Sequence, residues 1–209
     1  MSYLPLMLNM DRMPVTVVGG GSIALKKINI LMEYKPSITV ISETFDEEFK
    51  KLNVKKIAMQ INRETDMAPF ISRSKLVVIA TNSNEINDLV ENYCKKIDVL
   101  YNRVDRKEST FIFPALLKMD SITVAVSTSG SLPGFSKFLR DQIKTSLKDY
   151  ISAFDLLKKI RDGMPADSYS KRYSFFEKLL SNSDFWLLVK NENFEKAEDF
   201  AKELWEAMK

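Results

Sequence analysis

The hydrophobic pattern of the first hundred residues alternates between two periods. Pro14-Val15-Thr16-Val17-Val18 is a short apolar run rich in β-branched residues, which predicts a buried strand. It runs into Gly19-Gly20-Gly21, and Ser22 then opens a helical stretch with apolar positions at Ile23, Ile28 and Leu31. Ser37-Ile38-Thr39-Val40-Ile41 predicts a second strand, followed by a helix from about Asp46. Ile57-Ala58-Met59-Gln60-Ile61 and Leu76-Val77-Val78-Ile79-Ala80 predict a third and a fourth. A helix through Ile86, Leu89, Val90 and Tyr93 comes next, then a fifth strand at Asp98-Val99-Leu100-Tyr101. Strands that are apolar throughout and alternate with helices imply an α/β fold: a Rossmann-like parallel sheet covered on both faces.

Beyond this the pattern changes. Thr110-Phe111-Ile112-Phe113 and Ser121-Ile122-Thr123-Val124-Ala125-Val126 read as strands with no full helix between them. Ser127-Thr128-Ser129-Gly130-Ser131-Leu132-Pro133-Gly134 reads as a loop whose proline starts the next helix. After about residue 135 no strand is expected. Phe194, Ala197, Ala201, Leu204 and Met208 recur at steps of three and four, as do Tyr169, Tyr173, Phe176 and Leu180, so both segments predict amphipathic helices. The expected organisation is a nucleotide domain over 1–113, a short segment over 114–149 and a helical domain over 150–209, the last split at Gly163-Met164-Pro165.

Composition narrows the chemistry. A chain of 209 residues with 45% apolar content is large enough for one to two domains. No run approaches the ~20 apolar residues of a membrane span. Met1-Ser2-Tyr3-Leu4-Pro5 has no basic stretch ahead of an apolar run, so no signal peptide is expected. One cysteine, Cys94, suits a reducing compartment, and the reading is a soluble cytoplasmic protein. The chain has no histidine, which excludes Ser-His-Asp and Cys-His devices and histidine metal ligands. Proton transfer then falls to Asp, Glu, Lys, Tyr or water, and no metal site is expected. A net charge of +3 does not argue for nucleic acid. Residues 1–150 carry 21 basic against 17 acidic groups, which is either a mild preference for an anionic ligand or ordinary surface variation.

The best local motif is Gly19-x-Gly21-x-x-Ala24 between a strand and a helix. In such a motif the first glycine makes the tight turn and the second admits a pyrophosphate to the backbone amides. The small third residue lets helix and strand pack closely. No Gly-Lys-Ser/Thr follows, so this is not a P-loop. Glu43, near the end of the second strand, is placed to take ribose hydroxyls, and no arginine lies nearby for a 2′-phosphate, so NAD is favoured over NADP. Glu43 equally suits the first turn of the next helix. Thr81 and Asn82 close the fourth strand, where they either reach the cofactor or cap the following helix. Asn102-Arg103-Val104-Asp105 follows the fifth strand at the same sheet edge. The 127–131 loop, ahead of a helix bearing Lys137 and Arg140, either holds a carboxylate or simply caps that helix. No tyrosine is followed four residues later by lysine, so the Tyr-Lys pair of short-chain dehydrogenases is missing.

Taken together, these motifs resemble those of the precorrin-2 dehydrogenase family, the NAD-dependent part of sirohaem synthases, some members of which also insert iron into sirohydrochlorin. The likeness covers about residues 1–145. It runs from Leu4-Pro5-Leu6 through Val17-Val18-Gly19-Gly20-Gly21-Ser22-Ile23-Ala24 with Lys26-Lys27, and through Ala80-Thr81-Asn82 with Asn87. It continues in Asn102-Arg103-Val104-Asp105, Phe111-Ile112-Phe113-Pro114-Ala115, Val126-Ser127-Thr128-Ser129-Gly130-Ser131-Leu132-Pro133 and Leu139-Arg140. The resemblance implies that the amides of Ser22 and Ile23 meet the pyrophosphate and that Glu43 and Thr44 lie near the adenosine ribose. It implies Asp105 as the residue of dehydrogenation and of any chelation, and a homodimer formed through the segment after the nucleotide domain. A substrate with eight carboxylates would engage Asn102, Ser127, Thr128 and Arg140. Arg103 stands where the family is usually apolar, Ser129 where it often has glycine, and 150–209 matches loosely. Raising the pKa of Asp105 by partial burial would suit it as a base. Two alternatives remain at this level: an NAD-binding regulatory module without turnover, and a chelatase alone.

Overall fold

The computed structural model describes residues 2–119, 121–164 and 169–208. The chain divides into two compact units: one runs to Phe113 and includes Ser129–Ser131, and the other comprises Pro114–Thr128 and the chain from Leu132 onward. Among the described residues no helix is long and apolar enough to cross a membrane.

The first unit is built on five parallel strands: β1 (Pro14–Val18), β2 (Ser37–Ser42), β3 (Lys55–Ala58), β4 (Leu76–Ile79) and β5 (Leu100–Arg103). Their order is β3-β2-β1-β4-β5, so the order reverses between β1 and β4. Val18 is level with both Ile41 and Ile79, which brings three strand ends to one edge at that reversal. Both faces are covered, and this is why the strands carry apolar residues at every position. On one face Val15, Val17, Val40 and Val78 pack with Ala24, Ile28 and Leu31 of helix α1 (Ser22–Met32). On the other, Val18, Ile41, Val77 and Ile79 pack with α2 (Glu64–Ile71) and α3 (Asn84–Lys96). The polar strand residue Thr16 is satisfied by Ser74, Oγ1 to Oγ at 2.7 Å.

Several boundaries differ from those read off the sequence. The third strand lies at Lys55–Ala58, and the helix expected from Asp46 is a short 3-10 turn over Glu47–Lys51. The fifth strand is displaced to Leu100–Arg103, which places Asn102 and Arg103 inside it. Thr110–Phe113 is not a strand. Thr110 N–H donates to the Tyr101 carbonyl at 3.0 Å, while Phe111 and Phe113 turn into the core. Helix α2 carries Pro69 and buries only Met67 and Ile71, too sparse a stripe to read in advance. In α3 the buried positions are Asn87, Val90, Glu91 and Cys94, a face rotated from the expected one and half polar.

The second unit opens with the antiparallel pair β6 (Ala115–Met119) and β7 (Ile122–Val126), against which α4 (Pro133–Ser146) packs. Pro133 occupies the first turn of α4, as its fixed φ favours. Among the described residues five helices follow: α5 (Lys148–Ser152), α6 (Phe154–Asp162), α7 (Tyr169–Leu180), α8 (Ser183–Lys190) and α9 (Phe194–Glu206). They enclose Phe175, Leu179, Phe185, Val189, Ala197 and Ala201. The α9 stripe is as predicted. In α7 the buried pair is Phe175 and Leu179, whereas Tyr169 and Tyr173 are 79% and 65% exposed. Both sets satisfy helical spacing, and the one that meets the neighbouring helices is the buried one. Gly163 ends α6, and Pro165 lies outside the described residues.

Burial pushes the thiol of Cys94 up to about 12. A thiol reagent should therefore leave native Cys94 untouched on the timescale on which it labels the unfolded chain, and labelling should follow the unfolding curve. Rapid stoichiometric labelling of the native protein would show that the α3 core is not packed as described.

Candidate active site

The three glycines that turn β1 into α1 differ in what they do. Gly19 has φ +125°, and a Cβ there would lie 2.2 Å from the Ala80 carbonyl oxygen. Gly20 faces the opposite neighbour, where a Cβ would lie 2.0 Å from the Thr44 carbonyl oxygen. The turn is thus wedged between the ends of β2 and β4. Gly19 N–H donates to Ile41 O at 2.8 Å, and Gly20 O accepts from Asp46 N–H at 2.9 Å. Gly21 is extended, at φ −96°, and has nothing within 4 Å of where its Cβ would stand. Its missing side chain leaves room for a ligand.

Helix α1 begins at this open position with no side-chain cap. Its first amides, those of Ser22, Ile23 and Ala24, have no carbonyl within the helix, and the helix dipole favours an anion there. Ala24 is fully buried and brings α1 close against the sheet. A cleft of about 330 Å³ lies over the turn. Glu43, Thr44 and Asp46 line it from the end of β2, and Thr81, Asn82 and Ser83 from the end of β4. Its lining includes two carboxylates, Glu43 and Asp46, and no Lys or Arg among the described residues, which suits ribose hydroxyls and disfavours an added phosphate. The helical turn after β2 starts at Glu47, with Glu47 and Glu48 in its first turn, so Glu43 is not its first-turn acid. A glycine cradle that Cβ atoms would fill, an uncapped helix start and an acidic wall together fit a dinucleotide.

A hydrogen-bonded chain leads from this cleft to Asp105. Thr81 Oγ1 donates to Asn87 Oδ1 at 2.7 Å, and Asn87 Nδ2 donates to Asp105 Oδ2 at 3.2 Å. Ser83 caps α3, its side chain accepting from Ile86 N–H, so Thr81 and Asn82 are not the cap. Asp105 is also gripped by Arg103, Nε to Oδ1 at 2.7 Å and Nη2 to Oδ2 at 3.0 Å. That guanidinium holds the Asp105 carboxyl below the usual carboxylate range and outweighs the opposite effect of partial burial. Asp105 is therefore ionised at neutral pH, with its pKa moved in the direction opposite to the one that would strengthen a base.

The other expected site residues are placed differently. Asn102 is buried, and its Nδ2 donates to Phe111 O at 3.0 Å, so its amide braces the chain after β5. Ser127, Thr128 and Arg140 belong to the second unit. Thr128 Oγ1 lies 3.1 Å from Ser136 Oγ and accepts from Leu132 N–H at 3.0 Å, while Arg140 pairs with Asp141. Gly20, Asn87 and Glu91 went unassigned on sequence grounds. Gly20 was hidden as the free position of Gly-x-Gly. Asn87 and Glu91 share the 87-90-91-94 stripe with Val90 and Cys94, and polar residues on a buried helical stripe were the available signal.

Residues 6–115, just over half the chain, match the family described as "Putative NAD(P)-binding". The chain belongs to this NAD(P)-binding family. Siroheme synthase of Blochmanniella floridana is 30% identical over 207 residues, covering 97% of this NAD(P)-binding chain and 45% of that protein. Siroheme synthase of Baumannia cicadellinicola subsp. Homalodisca coagulata is 32% identical over 204 residues, covering 95% and 43%. The chain thus spans less than half the length of the curated relatives it matches. The solved structure "SirC, precorrin-2 dehydrogenase" shares its fold, with a TM-score of 0.74 at 22% identity, covering 94% of this chain and 99% of that one.

The glycines should separate in mutation. Gly20→Ala drives a methyl into the Thr44 carbonyl and should cost ~1–3 kcal/mol of stability as well as NAD+ affinity. Gly21→Ala should leave the unfolding free energy within ~0.5 kcal/mol of wild type while weakening NAD+ binding about tenfold or more, as read by calorimetry. Unchanged NAD+ affinity in Gly21→Ala would remove the turn from the binding site.

Proposed function

We propose that this NAD(P)-binding protein oxidises precorrin-2 to sirohydrochlorin in the cytoplasm, using NAD+ and with Asp105 as the proton acceptor. The observation that carries the proposal is the chain Thr81–Asn87–Asp105, which ties an ionised carboxylate to the wall of the dinucleotide cleft. Similarity to siroheme synthases along nearly the whole chain supplies the substrate class. Bound NAD+ supplies the hydride acceptor. The overall reaction is precorrin-2 plus NAD+ giving sirohydrochlorin, NADH and a proton.

Loss of hydride from a ring-system carbon leaves the macrocycle cationic, and the proton that must then depart is acidic. An ionised carboxylate of low basicity is adequate for that step, so the absence of histidine is no obstacle. The amides of Ser22 and Ile23 bind the pyrophosphate, Gly19, Gly21 and Ala24 shape the turn, and Glu43 and Thr44 hold the adenosine ribose. Asn82 orients the cofactor from the end of β4, with Thr81 held behind it by Asn87. The acidic wall at Glu43 and Asp46 supports NAD over NADP.

In the second unit, the loop of Ser127 and Thr128 with Arg140 recognises substrate carboxylates. The Asn102 amide acts behind the site, as a brace on the chain after β5. Residues 114–149 form a homodimer contact. The apolar side chains of Leu132, Phe135 and Phe138, which are exposed in the single chain, support this reading. Residues 1–113 are the dinucleotide domain, and 150–209 a helical domain.

Anaerobic absorbance spectroscopy of precorrin-2 with the protein and NAD+ tests the proposal. Wild type should form sirohydrochlorin and NADH in equal amounts, and Asp105→Ala should do so about a hundredfold more slowly. Equal rates would discard Asp105 as the base. No NADH from wild type would overturn the dehydrogenase reading.

A further inference from the structure

Arg103 sits at the end of β5 with its side chain 0% exposed. A guanidinium in that position is costly to bury, and an apolar side chain of similar volume would pack there at lower cost. How its donors are shared shows what it holds. Nη1 reaches the carboxylates of Asp88 and Glu91 on α3. Nε and Nη2 both go to Asp105, one to each oxygen, a two-point fork between residues two apart in sequence. The α3 carboxylates have other cations: Lys95 Nζ lies 2.7 Å from Glu91, and Arg106 Nη2 lies 2.9 Å from Asp88. Tyr101 OH donates to Glu91 at 3.1 Å. Among the described residues Arg103 is the cation paired with Asp105, and the neutral Asn87 amide also meets it.

We propose that Arg103 is a positioning residue: its fork and the Asn87 amide fix the Asp105 carboxylate in one orientation at the carboxyl edge of the sheet, linked through Thr81 to the dinucleotide cleft. This rests on the assignment of Asp105 to the oxidation. Asn87 fixes Oδ2 from α3 while Arg103 takes both oxygens from β5, so rotation of the carboxylate breaks at least one charge-assisted bond. A lysine in place of Arg103 keeps the charge and loses the fork.

The group to watch is the Asp105 carboxyl. The charged groups around it act through this arrangement: Arg103 directly, Asp88 and Glu91 by sharing Arg103, and Arg106 and Lys95 by neutralising those two. Arg103 favours the ionised form, so losing the fork raises the carboxyl titration and moves the acid limb of the rate profile to higher pH.

In wild type, carboxyl carbon NMR should place the Asp105 titration below the ordinary value of about 3.9. In Arg103→Lys it should move up by about one pH unit. In the same variant kcat should fall about tenfold, with its acid limb displaced alike and the KM for NAD+ nearly unchanged. An ordinary or raised wild-type titration overturns the proposal without any variant. An unmoved titration with unmoved kcat in a folded Arg103→Lys protein also overturns it. Asp105→Asn separates the two readings: full turnover there removes Asp105 from the reaction, whereas the titration in Arg103→Lys tests the clamp by itself.

Discussion

The carboxyl edge of the sheet depends on how closely the glycine turn approaches its neighbours. Gly19 lies against the Ala80 carbonyl and Gly20 against the Thr44 carbonyl, at distances that admit no Cβ. Because β1 lies between β2 and β4, the turn leaving it must pass between their two outgoing chains. The wedge sets the separation of those chains and so the width of the cleft. It also aims the start of α1 into that cleft, where amides without intrahelical partners supply the attraction for a pyrophosphate.

A second constraint adjoins the first. The inner face of α3 carries Asn87 and Glu91 among apolar residues, and β5 ends in a buried arginine. Each of these polar groups has partners, and the described residues contain no buried side-chain polar atom without one. The network costs desolvation and returns orientation: Asn87 links Thr81 to Asp105, and Arg103 keeps that carboxylate ionised. The same fork that orients Asp105 also makes it a weaker base. That trade is acceptable where the proton leaves a cation and would be unsuitable for deprotonating an alcohol.

Much of the first unit was legible in the sequence because a two-sided parallel sheet writes apolar strands between amphipathic helices. The strands at Val15, Ile38, Val77 and Tyr101 announced themselves this way. Strand ends were less legible: Asn102 and Arg103 are polar residues inside β5, buried because the Phe111 carbonyl satisfies the Asn102 amide and the ion-pair network satisfies Arg103. The face of α7 was ambiguous because Tyr169 and Tyr173 are spaced by four, as are Phe175 and Leu179, and tertiary contacts choose between them. In the cleft, Glu43 could be read from its offset after Gly21, whereas Thr44 came with the family resemblance alone; both line the cleft. The Asn87–Asp105–Arg103 arrangement could not, since it joins residues 18 apart through hydrogen bonds that no local pattern encodes.

We infer that a dinucleotide lies on the glycine turn and the open start of α1, against the end of β2. Titrating NAD+ into uniformly 15N-labelled protein and following the backbone amides tests this most directly. The largest shifts should fall on Gly21, Ser22 and Ile23, with Glu43 and Thr44 following at the same midpoint. Saturable binding that leaves those five amides unmoved would place the nucleotide elsewhere and contradict the account.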